Sequence, residues 1–342
     1  MMNKQRRSAR RTPGRTAASW LMILSLTAAL FTFSGCSSQS AASSEPKDNT
    51  DLIVVGFSQV GAESDWRNAN TRSMQEALSP ENGYRLILED AQQKQEKQIM
   101  AIRNFINQGV DYIVLAPTRE TGWDTVLTEA KHAGIPVIIV DRMIETADQD
   151  LFTCWVGSDF RSEGDKAVKW LEDHLEDTPL RIAHLQGSIG SSAQIGRTSG
   201  LDAGIGVHED WSLVFRESGD FTQAKGQEMT EKLLSSDVAF NVLYSENDNM
   251  TYGAIEALES AGIKPGKDVT ILSFDASSKA LHLILDGKIN YDVECNPLHG
   301  PRVRKIIEQL EQNETPLKYT YVEEVSFDSS NLLESVIEGR GY

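Results

Sequence analysis

The sequence predicts an α/β protein built from two doubly wound parallel sheets. Three observations lead there. From residue 51 to about residue 330, short apolar runs alternate with helical patterns. The runs are continuous in Val, Ile and Leu rather than alternating, as in parallel strands buried on both faces. The rhythm restarts after Val156, and roughly 290 residues are enough for two cores.

The elements follow in order. Residues 52–57 (LIVVGF) form a first strand and 65–78 a helix. Residues 84–89 (YRLILE) are a second strand. The stretch 94–108 places Ile99, Ile102, Phe105 and Ile106 on one face at helical spacing. A third strand spans 112–116, a helix runs from 123 to 132 and stops at Gly134, and 136–140 is a fourth strand. In the second half, helices are predicted over 161–174, 193–206, 223–235, 250–261, 279–286 and 301–312. Strands are predicted over 181–185, 213–217, 242–245, 269–274 and 289–295, and 319–327 is strand-like throughout.

The segment before this body has its own logic. Lys4, Arg6, Arg7, Arg10, Arg11 and Arg15 precede an apolar run over 20–33, then Ser34, Gly35 and Cys36. A charged start, an apolar centre and small residues make a secretory signal over 1–35. A membrane span needs roughly 20 apolar residues, and this run is shorter. The FSGC ending resembles a bacterial lipobox, with Phe33 where Leu is usual. That resemblance implies cleavage before Cys36, acylation of its thiol, and an extracytoplasmic protein lipid-anchored to the cell membrane. The Ser-, Ala- and Gln-containing stretch to residue 50 reads as a flexible tether, giving a 36–50 segment.

The chain has 33 Lys+Arg and 50 Asp+Glu. Six basic and no acidic residues precede Cys36, so the remainder holds 27 basic against 50 acidic, a net of −23. That balance argues against a nucleic-acid partner, which needs a basic stripe. Only Cys154 and Cys295 remain beyond Cys36, and they read as two buried thiols. The six histidines show no metal-ligand spacing, so neither a metal nor a cofactor is expected.

In doubly wound sheets, ligands bind at the carboxyl ends of strands. Polar groups crowd those positions here. Ser58, Glu63, Ser64, Trp66 and Arg67 follow the first strand, Gln93 the second, and Asp141 and Arg142 the fourth. Arg197, Phe221, Asn247, Asp275, Glu294 and Asn296 hold similar places in the second half. Acceptors, donors and amides beside aromatic rings suit a sugar. Its hydroxyls donate and accept, its C–H faces stack on aromatics, and charged partners strengthen each bond.

The stretches GFSQVGAESDWR, DAQQKQEKQI, VDR, GDFTQAKG, ENDNM, FDA and ECNP occur in that order. They resemble the sugar-binding proteins of bacterial ABC transporters, in the ribose- and galactose-binding branch with the type I periplasmic-binding fold. The GFSQVG opening, the Ser-x-Trp-Arg that follows and the DR pair resemble its galactofuranose-binding members. The resemblance implies a monosaccharide ligand, a galactofuranose-like sugar favoured, held by the fourteen strand-end residues just named. It implies hinge closure around the sugar, delivery to a membrane permease, no reaction, and a monomer. It also implies three chain crossings, dividing the body into 51–156 with 297–326 and 157–296 with 327–342. A sensory accessory protein would share this pocket, with a membrane receptor or kinase as partner. A transcriptional regulator conflicts with the secretory signal, and a glycosidase would need two carboxylates flanking a bond.

Overall fold

A computed structural model describes residues 52–176 and 178–342. The signal segment 1–35, Cys36 and the tether to residue 50 lie outside the described residues. Along the chain the strands are β1 (Ile53–Gln59), β2 (Tyr84–Asp90), β3 (Tyr112–Leu115), β4 (Val137–Val140), β5 (Cys154–Gly157) and β6 (Leu180–Gln186). They continue as β7 (Trp211–Ser218), β8 (Val242–Ser245), β9 (Thr270–Asp275), β10 (Tyr291–Glu294), β11 (Tyr319–Tyr321) and β12 (Ser326–Phe327).

Among the described residues these strands form two six-stranded sheets. The first has the order β11-β5-β4-β3-β1-β2 and is parallel throughout. The second has the order β12-β10-β9-β8-β6-β7, parallel except where β12 runs against β10. Every residue of β3, β4, β5, β8 and β10 is buried, which accounts for their continuous apolar character. Helices cover both faces of each sheet, so each lobe has its own pair of cores.

The chain passes between the lobes three times. It leaves β5 for the helix Phe160–His174, which packs on the helix Ser192–Val207 and on β10. It returns after β10 to the helix Gly300–Glu311, which packs on the helix Asp65–Ala77. It crosses again between β11 and β12. The strand-like run 319–327 is therefore two strands in different sheets, broken by residues 322–325. Ser326 pairs with Val293 of the second sheet and does not close the 297–326 segment of the first. β5 has no counterpart among the predicted strands. Its sequence, CWVG after Thr153, lacks the Val/Ile/Leu run that marks the other central strands.

Helix starts at the cleft are fixed by side-chain caps. Ser64 accepts from Arg67 N, Asp159 from Ser162 N, Ser191 from Gln194 N, Thr222 from Lys225 N and Asn247 from Met250 N. Each cap satisfies a backbone N–H that the first helical turn leaves free. The caps thereby fix where Trp66, Phe160, Ala193 and Asn247 enter the cleft.

Candidate functional site: an interlobe cavity

The strand ends of the two sheets face one another across a cavity with about 310 Å³ of empty space. Glu63, Ser64, Trp66, Arg67, Asp141 and Arg142 line it from the first lobe. Phe160, Ala193, Arg197, Phe221, Asn247, Asp275 and Cys295 line it from the second. The lobes are closed on each other. Asp65 N donates to Asn249 Oδ1 at 3.0 Å and Trp66 Nε1 to the Cys295 carbonyl at 2.7 Å. Met143 N donates to Ser192 Oγ at 2.8 Å and Glu120 N to the Gly190 carbonyl at 3.1 Å.

Three lining residues sit in left-handed backbone: Asp141 at φ 62°, Phe221 at φ 62° and Asp275 at φ 114°. Such residues cost on the order of 1–3 kcal/mol each and persist only where the surroundings hold them. Asp141 is held by its N–H on the Val156 carbonyl and by Trp155 Nε1 on its own carbonyl. The turn after Asp275 is held by Asp292, which accepts from Ala276 N at 3.1 Å, and by Asp248, which accepts from Ser277 N at 2.8 Å. The tip of the Phe221 ring packs against Gly187. A Cβ there would stand 1.9 Å from the ring, so only glycine leaves room.

Three buried guanidiniums divide the charge unequally. Arg67 Nη1 lies 2.8 Å from Asp141 and its Nε 3.3 Å from Glu63. Arg197 Nε lies 2.6 Å from Glu163 and its Nη2 3.7 Å from Asp275. Arg142 pairs with no carboxylate among the described residues. Its Nη1 reaches only the Thr118 carbonyl, at 3.4 Å, and its guanidinium lies 5.2 Å from the centre of the Phe221 ring. Burial first, then the like charge of Arg67, pulls Arg142 down to about 10. Burial holds the Asp275 carboxyl well above the usual range despite Arg197. Glu63 Oε2 is buried without a hydrogen-bond partner.

A guanidinium has five donors, and Arg142 uses one. Unspent donors on Arg142, unspent acceptors on Glu63 and Asp275, and the rings of Trp66, Phe160 and Phe221 thus surround one small space. The arrangement fits a compact polyhydroxylated ring with an apolar face.

Residues 55–299 match the family model described as periplasmic binding protein domain. The chain belongs to the periplasmic binding protein family. It is 38% identical to the galactofuranose-binding protein YtfQ of Escherichia coli (strain K12), over 78% of this chain and 85% of that protein. A crystal structure from Mycobacterium smegmatis in complex with β-D-fucofuranose is 42% identical, with a TM-score of 0.79, over 82% of this chain and 92% of that one. The periplasmic binding protein component of the arabinose ABC transporter from Shewanella sp. ANA-3, bound to α- and β-L-arabinofuranose, is 39% identical with a TM-score of 0.80. It covers 84% of this chain and 95% of that one. Membership makes the chain a binding protein and not an enzyme.

Within this family frame, ten of the fourteen strand-end residues meet at the cavity: Glu63, Ser64, Trp66, Arg67, Asp141, Arg142, Arg197, Phe221, Asn247 and Asp275. Four do not. Ser58 is fully buried in β1 and does not line the cavity. Gln93 lies further out in the cleft. Glu294 turns to the C-terminal tail, with Arg340 Nη1 at 2.5 Å and the Tyr342 hydroxyl at 3.1 Å. Asn296 accepts from Leu298 N and Arg302 Nη1, while its neighbour Cys295 takes the cavity wall. Cys154 and Cys295 are both free, buried thiols. Asn247 caps its helix, and its Nδ2 also donates to the Phe221 carbonyl at 3.2 Å. Phe160, Ala193 and Cys295 are additional lining residues. Phe160 follows the end of β5, a strand that carries no clear sequence signal, and Ala193 offers no chemical signal.

Proposed function

We propose that this chain is an extracytoplasmic binding lipoprotein, which captures a furanose sugar between its lobes and delivers it to an ABC transporter permease. A galactofuranose-like hexofuranose is the favoured ligand. The single observation that carries this reading is Arg142: buried, unpaired and stacked on Phe221, across a ring-sized space from Asp275. A ring with an apolar face on Phe221 and hydroxyls toward Arg142, Glu63 and Asp275 would satisfy donors and acceptors that are otherwise unmet. Relatives named or solved with galactofuranose, fucofuranose and arabinofuranose support the ring form.

Capture is hinge closure. A sugar touching both lobes favours the closed form by its differential affinity for the two states. Acylation of Cys36 would keep the closed, loaded protein beside its permease and raise the effective concentration there.

Titration calorimetry with galactofuranose, L-arabinofuranose, galactopyranose and ribose tests the reading. A furanose should bind with a micromolar constant or better, about −8 kcal/mol, and outcompete the pyranose. No heat from any furanose would overturn it.

A further inference from the structure

A second polar chamber opens beside the cavity and shares Arg142 with it. The inner cavity holds about 310 Å³ of empty space and the outer chamber about 640 Å³. The inner space is closely fitted to one ring; the outer has room for a second. Both lobes line the outer chamber. Gln93, Thr118 and Arg119 come from the first, Ser188 and Asp220 from the second.

Backbone turns send side chains into this chamber as deliberately as into the inner one. Asp220 and Phe221 are consecutive and both left-handed, at φ 51° and 62°, with Phe221 lining the inner cavity and Asp220 the outer. Gln93, at φ 59°, is held by its N–H on the Val60 carbonyl at 2.7 Å. Thr118 is 6% exposed, and its buried hydroxyl has no hydrogen-bond partner. Such a group costs free energy unless a partner arrives. An amide, two hydroxyls and a guanidinium are again groups that pair with sugar hydroxyls, while the Asp220 carboxylate is held by Lys225 and Ser218. The chamber exists with the lobes already closed, so a ligand filling it leaves the contacts of Trp66, Asn249 and Ser192 intact.

We propose that the outer chamber is a subsite for a substituent on the bound ring, so that this chain takes a furanosyl glycoside, a disaccharide above all, and not solely a free monosaccharide. The proposal rests on the sugar reading above and adds the ligand's size class. Three probes decide it by calorimetry: galactofuranose, its methyl β-glycoside and a galactofuranosyl disaccharide. Each is titrated into the wild-type chain and into Arg119→Ala, an exposed outer-chamber variant. The disaccharide should bind wild type at least as tightly as galactofuranose, and Arg119→Ala should weaken it about tenfold while leaving galactofuranose within twofold. If galactofuranose binds and both glycosides are rejected by a hundredfold or more, the chamber is the solvent-filled mouth of the cleft and the proposal is overturned with the sugar reading intact. A disaccharide that binds equally to both proteins also overturns the subsite. Failure of all three probes instead overturns the sugar reading beneath it.

Discussion

Arg142 and Asp275 show how a binding site is charged in advance. Each is buried, each carries bonding capacity that the protein leaves unspent, and the titration of each is displaced by burial. A hydroxyl that bonds to either one gains a charge-assisted partner in a low-dielectric site. Arg142→Ala and Asp275→Ala should therefore each cost a few kcal/mol of sugar affinity, a hundredfold or more by calorimetry. Losses within threefold for both would show that the cavity is not the binding site. Gly187 makes a different test, because it touches no ligand position itself. Gly187→Ala drives a methyl into the Phe221 ring and must displace it. Sugar affinity should fall at least tenfold while the fold, read by circular dichroism, is kept; unchanged affinity would remove Phe221 from the stacking role.

The loops and crossings act as units. Left-handed turns at the ends of β4 and β9, and after β7, aim side chains that a relaxed strand end would leave in solvent. The three crossings are tied together by one carboxylate. Glu324 Oε1, between β11 and β12, accepts from Ser158 Oγ at 2.7 Å and from Asn296 N at 2.6 Å, so it joins residues of all three. Burial first, then the negative field of Glu163, pushes Glu324 up to about 8. An unfolded glutamate titrates at about 4.3. Between these values the folded chain holds a proton that the unfolded chain has released. The contribution is thus complete below the unfolded value and is lost as pH rises through the folded one. Glu324→Gln keeps the acceptor and removes the charge. Its melting temperature should exceed that of wild type by several degrees at pH 8.5, with the gap closing toward pH 4.5. A variant equally or less stable at pH 8.5 would show that Glu324 is paired in its charged form.

At the scale of the molecule, the closed state is held by few direct bonds across the cleft, and the Asn249 amide makes two of them with Asp65. Asn249 does not line the cavity. Asn249→Ala should shift the unliganded protein toward the open form and weaken apparent sugar affinity severalfold, in proportion to the closed fraction lost. Small-angle scattering should show a larger radius of gyration without sugar and the wild-type value with it. Unchanged affinity and radius would mean that the cleft closes without this contact.

The alternation of apolar runs and helical stretches determined two parallel sheets. Local chemistry determined which loops carry Asp, Arg, Asn and Trp, because a strand end is a local feature written in consecutive residues. Tertiary structure decided the rest. Whether a strand-end side chain enters the cavity depends on the φ of its turn and on rivals for its charge, and both are non-local. Glu294 is lost to Arg340, 46 residues away in sequence, whereas Arg142 is left free because no carboxylate reaches it. Cys295 takes the wall and Asn296 does not, because the Asn296 amide is held by Leu298 N and Arg302 Nη1. The run 319–327 reads as one strand in the sequence, and the separation of the two sheets splits it. The residue types of the site are sequence properties; the cavity they share is a property of two lobes brought face to face.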